Sequence, residues 1–274
     1  MPELPEVETV VRSIRPLITG KTIAAVIAAD NYPQVIATHS PQQFNRLVAG
    51  QLVVAVDRRG KYIVISLDAG FILIHLRMTG RLLSRLGEND KPQHVTATIN
   101  FQDGSNLFFK DYRKFGRFYF TVNANFLEEK LGVEPLSDKF TDKWLSAGLK
   151  QSSRKIKPLL LDQSFIAGLG NIYVDEALWT ARIHPETISR RISRPKVRKL
   201  QAAIQNILWR SIEQNGTTII NFAFGENSTG QFVNELMVFG RESQSCLRCE
   251  TTIVKICVGQ RGTHFCPKCQ QKLK

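Results

Sequence analysis

Pro2 and Glu3 are the first residues of this chain whose types and adjacency could do covalent chemistry. Proline is a small penultimate residue, the kind after which an initiator methionine is trimmed. Trimming would leave a free secondary amine. An α-amine titrates about two to three units below a lysine, so part of it is neutral near pH 7 and nucleophilic toward carbonyl-like carbon. A secondary amine joined to an aldehyde gives an iminium ion, which stays cationic without a proton and draws electrons from a neighbouring C–H bond. Glu3, beside it, could move the protons. An ordinary solvated terminus is the alternative reading of these two residues alone. A second chemical set lies at the other end of the chain, where Cys246-x-x-Cys249 and Cys266-x-x-Cys269 enclose 16 residues. Two such pairs can supply four thiolates to one tetrahedral Zn²⁺. Four protein ligands imply a closed, structural site. The fifth cysteine, Cys257, lies in an alternating stretch and is expected as a packed strand thiol.

Both sets need rigid supports. Behind Pro2, Leu4, Val7, Val11, Ile14 and Ile18 recur at helical spacing. Pro5 suits a first turn, and Glu6, Glu8, Arg12 and Arg15 are placed as a helix dipole prefers. Gly20 is a plausible stop. Short β-type runs follow at 22–28, 52–56, 61–67, 71–76, 95–101, 106–110 and 116–122, with a brief helical pattern from Pro41 to Leu47. Many short strands with tight turns favour a sandwich or barrel. Near residue 130 the texture changes to helices, at 141–147, 154–162, 171–181 and 193–213. Gly168 and Gly170 in Ala167–Ile172 allow a tight turn whose amides, with the next helix N-terminus, suit a phosphate. An ordinary helix–helix turn is the simpler alternative. Between the cysteine pairs, Thr252–Val258 alternates like a strand, and Val258–Thr263 reads as a hairpin tip holding Arg261 outward.

With 274 residues and 43% hydrophobic content, the chain can bury substantial cores. No apolar run is long enough to span a membrane, and the acidic N-terminus lacks a signal-peptide layout. A soluble cytoplasmic protein is expected, and with it free thiols rather than disulfides. The formal net charge of +13 points to a polyanionic partner, nucleic acid first. Seven basic against two acidic residues from Arg241 to Lys274 give the finger the same bias.

Six motifs converge on one family. They are Pro2–Thr9, Arg58-Arg59-Gly60-Lys61-Tyr62, His75-Leu76-Arg77-Met78, Arg113-Lys114-Phe115-Gly116, Gly168–Glu176 and Arg261–Gln270. With them the chain resembles the bacterial formamidopyrimidine-DNA glycosylases. The resemblance implies an α+β multidomain fold: an N-terminal β-sandwich carrying the first helix (1–130), a helix-two-turn-helix domain (131–236) and a C-terminal β-hairpin zinc finger (237–274). It also implies a monomeric, bifunctional glycosylase and abasic-site lyase that acts on double-stranded DNA containing oxidised purines or abasic sites. The damaged nucleotide would be flipped from the stack. By resemblance Pro2 attacks the sugar C1′, Glu3 opens the sugar ring and shuttles protons, and Glu6 organises the site. Lys61, His75, Asn171 and Arg261 correspond to a phosphate clamp, with Lys61 close to the chemistry. Met78, Arg113 and Phe115 correspond to side chains that fill the gap left by the flipped nucleotide. On residue type alone, Lys61 reads as a solvated turn residue, His75 as a core histidine, and Met78 and Phe115 as core.

Several positions depart from the family pattern. Ile220 stands where the lesion loop usually has arginine, and Phe222 where tyrosine is common. Val233 replaces a frequent glutamine, Phe239 a tyrosine, and Glu250 a glycine after the second cysteine. Three alternatives stay open at this point: a non-catalytic zinc protein that binds damaged DNA, a structural or RNA-bound zinc-ribbon protein, and an endonuclease VIII-like enzyme for pyrimidine lesions. An N-terminal secondary amine discriminates against the two non-catalytic readings.

Overall fold

The computed structural model describes residues 1–87, 91–217, 223–224 and 228–272. The chain divides into two compact units, Met1–Glu129 with Asn215–Gly230, and Lys130–Gln214 with Gln231–Lys274. No helix among the described residues is long and apolar enough to cross a membrane.

The first unit opens with α1 (Leu4–Ile18), followed by β1 (Ile23–Ala28), α2 (Pro41–Val48), β2 (Val53–Arg59), β3 (Tyr62–Leu67), β4 (Gly70–His75), β5 (Arg81–Leu83), β6 (Val95–Phe101), β7 (Asn106–Lys110) and β8 (Arg117–Thr121). The strands form two four-stranded antiparallel sheets, ordered β1-β6-β7-β5 and β2-β3-β4-β8. Along β3, β7 and β8 every second residue is buried, the signature of sheets with one face in a core. Ile63, Ile65, Ile72, Ile74, Ile99, Phe109 and Phe118 meet there in one hydrophobic cluster. Val7, Val11, Ile14 and Ile18 of α1 join the same cluster, so the helix is held along its length by the sandwich. Polar clasps add to this. Glu8 pairs with Arg12 at 3.0 Å and with Arg58 of β2 at 3.1 Å, and Arg15 donates to the Val56 carbonyl at 2.6 Å. Strand β5 has no counterpart in the sequence reading, because three residues are too few to show alternation. Strand β2 runs three residues further than its apolar pattern, carrying Arg58 and Arg59 to the Gly60-Lys61 turn. Gly60 has φ 57 there, which a two-residue hairpin turn requires.

The second unit contains α3 (Asp142–Lys150), α4 (Ile156–Leu160), α5 (Asn171–Thr180) and α6 (Arg194–Glu213), then β11 (Val254–Val258) and β12 (Arg261–Phe265). Between them in chain order, β9 (Ala223–Phe224) and β10 (Ser228–Thr229) pair as a small ribbon of the first unit. The apolar stripe of α6 is core, as its spacing requires, with Val197, Leu200, Ile204, Leu208 and Ile212 buried.

Helix α5 organises the hairpin through two adjacent buried acids. Asp175 takes the Lys157 ammonium at 2.6 Å and the His264 N–H of β12 at 2.9 Å. Glu176 accepts the N–H groups of Met237, Val238 and Phe239 at 2.9, 2.9 and 2.8 Å. Burial pushes the Glu176 carboxyl above its usual range, and the three amides oppose that shift. Lys157 also donates to the Gly262 carbonyl at 3.1 Å.

Lys157 and Asp175 are both fully buried, so removing one leaves an uncompensated charge. Lys157→Met is therefore expected to destabilise the protein by about 3–5 kcal/mol. Adding Asp175→Asn should recover much of that, since an amide oxygen still accepts from His264. Denaturant unfolding of both variants checks this, and a single variant as stable as the parent would contradict it.

Candidate active site and nucleic-acid contacts

The first catalytic candidates sit at the start of α1. Pro2 and Glu3 are buried, while Met1 is half exposed. Glu3 is the extended residue before the helix, and its N–H donates to Glu6 Oε2 at 2.8 Å. The other Glu6 oxygen accepts both the N–H and the hydroxyl of Thr217, at 2.9 and 3.0 Å. One carboxylate thus ties the helix start to a segment 211 residues away in sequence. Gly216 makes that approach possible. Its φ is 81, and a Cβ there would lie 2.9 Å from Glu6 Oε1. Thr217 is a functional neighbour that the sequence reading missed. Only its position beside a glycine hinted at a close contact.

Lys61, in the β2–β3 turn, and His75, at the end of β4, lie near enough for the Lys61 charge to act on the His75 ring. Lys61 is buried, which overturns its reading as a solvated turn residue. His75 is opposite Tyr62, with the rings edge-on at 4.7 Å. The N–H of Arg77 donates to His75 Nδ1 at 2.9 Å, which leaves the ring's proton on Nε2. Burial first, then the charges of Arg77 and Lys61, lower the His75 pKa to about 3. His75 is therefore a neutral N–H donor at physiological pH.

Met78, Arg113 and Phe115 also form a group. Met78 and Phe115 are 43% and 46% exposed, so the core reading of both is wrong. The Arg113 guanidinium lies 3.1 Å from Met78 Sδ and 4.9 Å from the centre of the Phe115 ring. Apolar and planar side chains gathered in solvent have the chemistry of a wedge for stacked bases.

The remaining candidates belong to the second unit. Asn171 is the first residue of α5, after the turn at Gly168 (φ 88). Its side-chain amide donates to the Gly262 carbonyl at 2.9 Å. Arg261 is exposed as expected. It starts β12, paired with Val258, rather than standing at the hairpin tip. The tip is Gly259-Gln260, with φ 57 and 61, a tighter turn than the sequence reading allowed. Asn171 and Lys157 thus grip the carbonyl next to Arg261 and fix its base. Cys257 is exposed on the outward side of β11, so its expected packing is also corrected.

Cys246, Cys249, Cys266 and Cys269 place their sulfurs within 4.8 Å of one another, with Cys249 3.5 Å from Cys266 and 3.4 Å from Cys269. A tetrahedron with Zn–S of about 2.3 Å needs S···S near ~3.8 Å, so these residues fit one structural zinc ion. Glu250, at the departure from glycine, has φ 64 and donates its N–H to the Cys246 carbonyl at 2.8 Å. The geometry explains why glycine suits the position. Phe239 lies edge-on to His264 at 5.0 Å. Val233 lies in a short 3₁₀ turn and is 39% exposed. Ile220 and Phe222 lie outside the described residues.

Comparison with known proteins finds three matching family patterns along the chain. The pattern of the formamidopyrimidine-DNA glycosylase N-terminal domain covers residues 1–118. The H2TH domain of the same enzymes covers 131–223, and the zinc finger found in FPG and IleRS covers 243–272. The formamidopyrimidine-DNA glycosylase of Pelotomaculum thermopropionicum is 41% identical over 277 residues, 99% of each chain. The chain belongs to the formamidopyrimidine-DNA glycosylase family. Solved structures agree. Lactococcus lactis Fpg in complex with an abasic site containing DNA superposes with a TM-score of 0.89 at 38% identity, covering 98% of this chain and 100% of the other. A structure of MutM in complex with carbocyclic 8-oxo-G containing DNA gives 0.89 at 39%, covering 99% and 100%.

The state of His75 has a pH consequence. Its folded pKa of about 3 lies below the unfolded value near 6.5. Between these values the unfolded chain binds the extra proton. The stability that His75 contributes is therefore complete above about pH 6.5 and is lost as pH falls toward 3. NMR titration of the His75 ring should show a neutral Nε2–H tautomer from pH 8 to 5. A midpoint near 6.5 would contradict this.

Proposed function

We propose that this protein is a base-excision-repair DNA glycosylase for oxidised purines, formamidopyrimidines and 8-oxoguanine, with abasic-site lyase activity. The observation that carries the reading is the start of α1, where a proline and a buried acid sit on a helix locked by Glu6. Binding DNA alone requires no such terminus. The relatives' complexes with abasic-site and 8-oxo-G containing DNA support the substrate class.

In the proposed reaction Met1 is removed and the Pro2 nitrogen attacks C1′ of the flipped nucleotide. The C1′–base bond breaks and the base leaves with its electron pair and a proton. Glu3 protonates the ring oxygen, the C1′–O bond opens, and the nitrogen lone pair completes the iminium. Loss of a C2′ proton expels the 3′-phosphate, and a second elimination expels the 5′-phosphate. Water then hydrolyses the link to Pro2. Glu6 holds the helix start in register. Lys61, His75, Asn171 and Arg261 donate to phosphate. Met78, Arg113 and Phe115 fill the vacated stack. Zinc, when bound, cross-links the four thiolates and stiffens the hairpin that carries Arg261. The division into 1–130, 131–236 and 237–274, a monomeric state and a cytoplasmic location complete the proposal.

Pro2→Gly replaces the secondary amine with a primary one, whose imine must gain a proton to become an electron sink. Lyase activity should weaken without vanishing. Protein that retains Met1 should bind abasic DNA and not cut it. Intact mass with single-turnover cleavage tests both, and full cleavage by Met1-bearing protein would sink the nucleophile assignment.

The clamp makes a separate prediction. Arg261→Ala should keep its zinc, weaken DNA binding and make log K against log salt shallower by about one. Cys249→Ser should lose both metal and cleavage. An Arg261→Ala salt titration that overlays the parent would remove Arg261 from the clamp.

A further inference from the structure

The two loops that carry Met78, Arg113 and Phe115 both cross between the sheets, residues 76–80 from β4 to β5 and 111–116 from β7 to β8. The exposed side chains of Met78 and Phe115 supply no packing that would fix these loops. Here they are joined by one side chain that the proposed reaction does not use. Asp111 is fully buried. Its Oδ1 accepts the hydroxyl of Thr79, from the other loop, and the N–H of Arg113 at 3.2 Å. Its Oδ2 accepts the N–H of Phe115 at 2.9 Å and of Gly116 at 2.7 Å. The Arg113 N–H also reaches the Thr79 oxygen at 3.3 Å. Only an acceptor with two oxygens can take four donors in this way. The loops are also pinched at their ends. A Cβ on Gly80 or Gly116 would come within 2.7 or 2.3 Å of Phe109 Cζ.

We propose that Asp111, with Thr79, is the positioning element that sets Met78, Arg113 and Phe115 as a single preformed wedge. Asp111 fixes the backbone on both sides of Arg113 and Phe115, and Thr79 ties the residue after Met78 to the same carboxylate. Insertion then proceeds without first ordering two loops, which would otherwise cost conformational entropy at the moment of base extrusion. This inference rests on the reading of those three side chains as the wedge in the proposed function.

The test separates extrusion from chemistry. Thr79→Val removes the link between the loops at nearly constant shape, and Thr79→Ser keeps it. Asp111→Asn turns one acceptor arm into a donor, but it carries a folding risk, so Thr79→Val decides. Thr79→Val should slow single-turnover excision of 8-oxoguanine from duplex by roughly tenfold, the scale of one lost buried hydrogen bond. It should slow by the same factor the fluorescence rise of 2-aminopurine placed beside a tetrahydrofuran site. Cleavage of a single-stranded abasic oligonucleotide, which needs no extrusion, should be unchanged, and Thr79→Ser should restore the duplex rate. Phe115→Ala is the control for the underlying reading. If Phe115→Ala is slow on duplex while Thr79→Val matches the parent, the positioning role is wrong and the wedge stands. Equal losses by Thr79→Val on both substrates would also overturn the proposal, since they indicate general damage. A parental rate for Phe115→Ala would remove the wedge itself.

Discussion

The proposed reaction requires one nitrogen atom, that of Pro2, to be held still at the least constrained place in a chain, its N-terminus. Termini fray unless something ties them down. Here the tie is the Glu6 carboxylate, which accepts the Glu3 amide on one oxygen and Thr217 on the other. The remainder of α1 is fixed by its apolar stripe in the sandwich core and by Glu8 and Arg15 on β2. A near-attack geometry depends on such rigidity, because small misplacements of a nucleophile cost orders of magnitude in rate.

The same device recurs at several places. A buried acidic side chain accepts backbone amides from a segment with no regular structure, or from the hairpin, and fixes that segment in place. Glu6 does so for residue 217, Asp111 for the 111–116 loop, Asp175 for β12 and Glu176 for residues 237–239. These carboxylates satisfy donors that would otherwise be buried without partners. In unit 2, neighbouring residues of one helix grip both the segment entering the finger and the strand that begins at Arg261. The zinc ligands stiffen the finger internally, while Asp175, Glu176 and Lys157 fix it to the helical part of its unit.

Much of this was legible in the sequence, for identifiable reasons. Helices α1 and α6 announce themselves by a 3.6-residue apolar period, and the zinc site by two Cys-x-x-Cys pairs. Strand β5 is too short to show a period. In the sequence the turn at Gly259-Gln260 cannot be told from a longer tip, so the spacing puts Arg261 at the tip rather than at the start of β12. Met78 and Phe115 carry no local sign of exposure, and residue type alone would bury them. Contacts of long sequence separation, such as Glu6 with Thr217 or Lys157 with Gly262, leave no periodic trace. Thr79 and Asp111 lie in connecting loops where a polar residue is unremarkable.

The proposed chemistry depends on which atom is joined to DNA. Borohydride reduction of the protein on duplex DNA containing an abasic site, followed by proteolysis and peptide mass mapping, locates that atom directly. The adduct is expected on the nitrogen of Pro2, on a peptide that lacks Met1. An adduct on Lys61 or another lysine, or none under conditions of active cleavage, would contradict it.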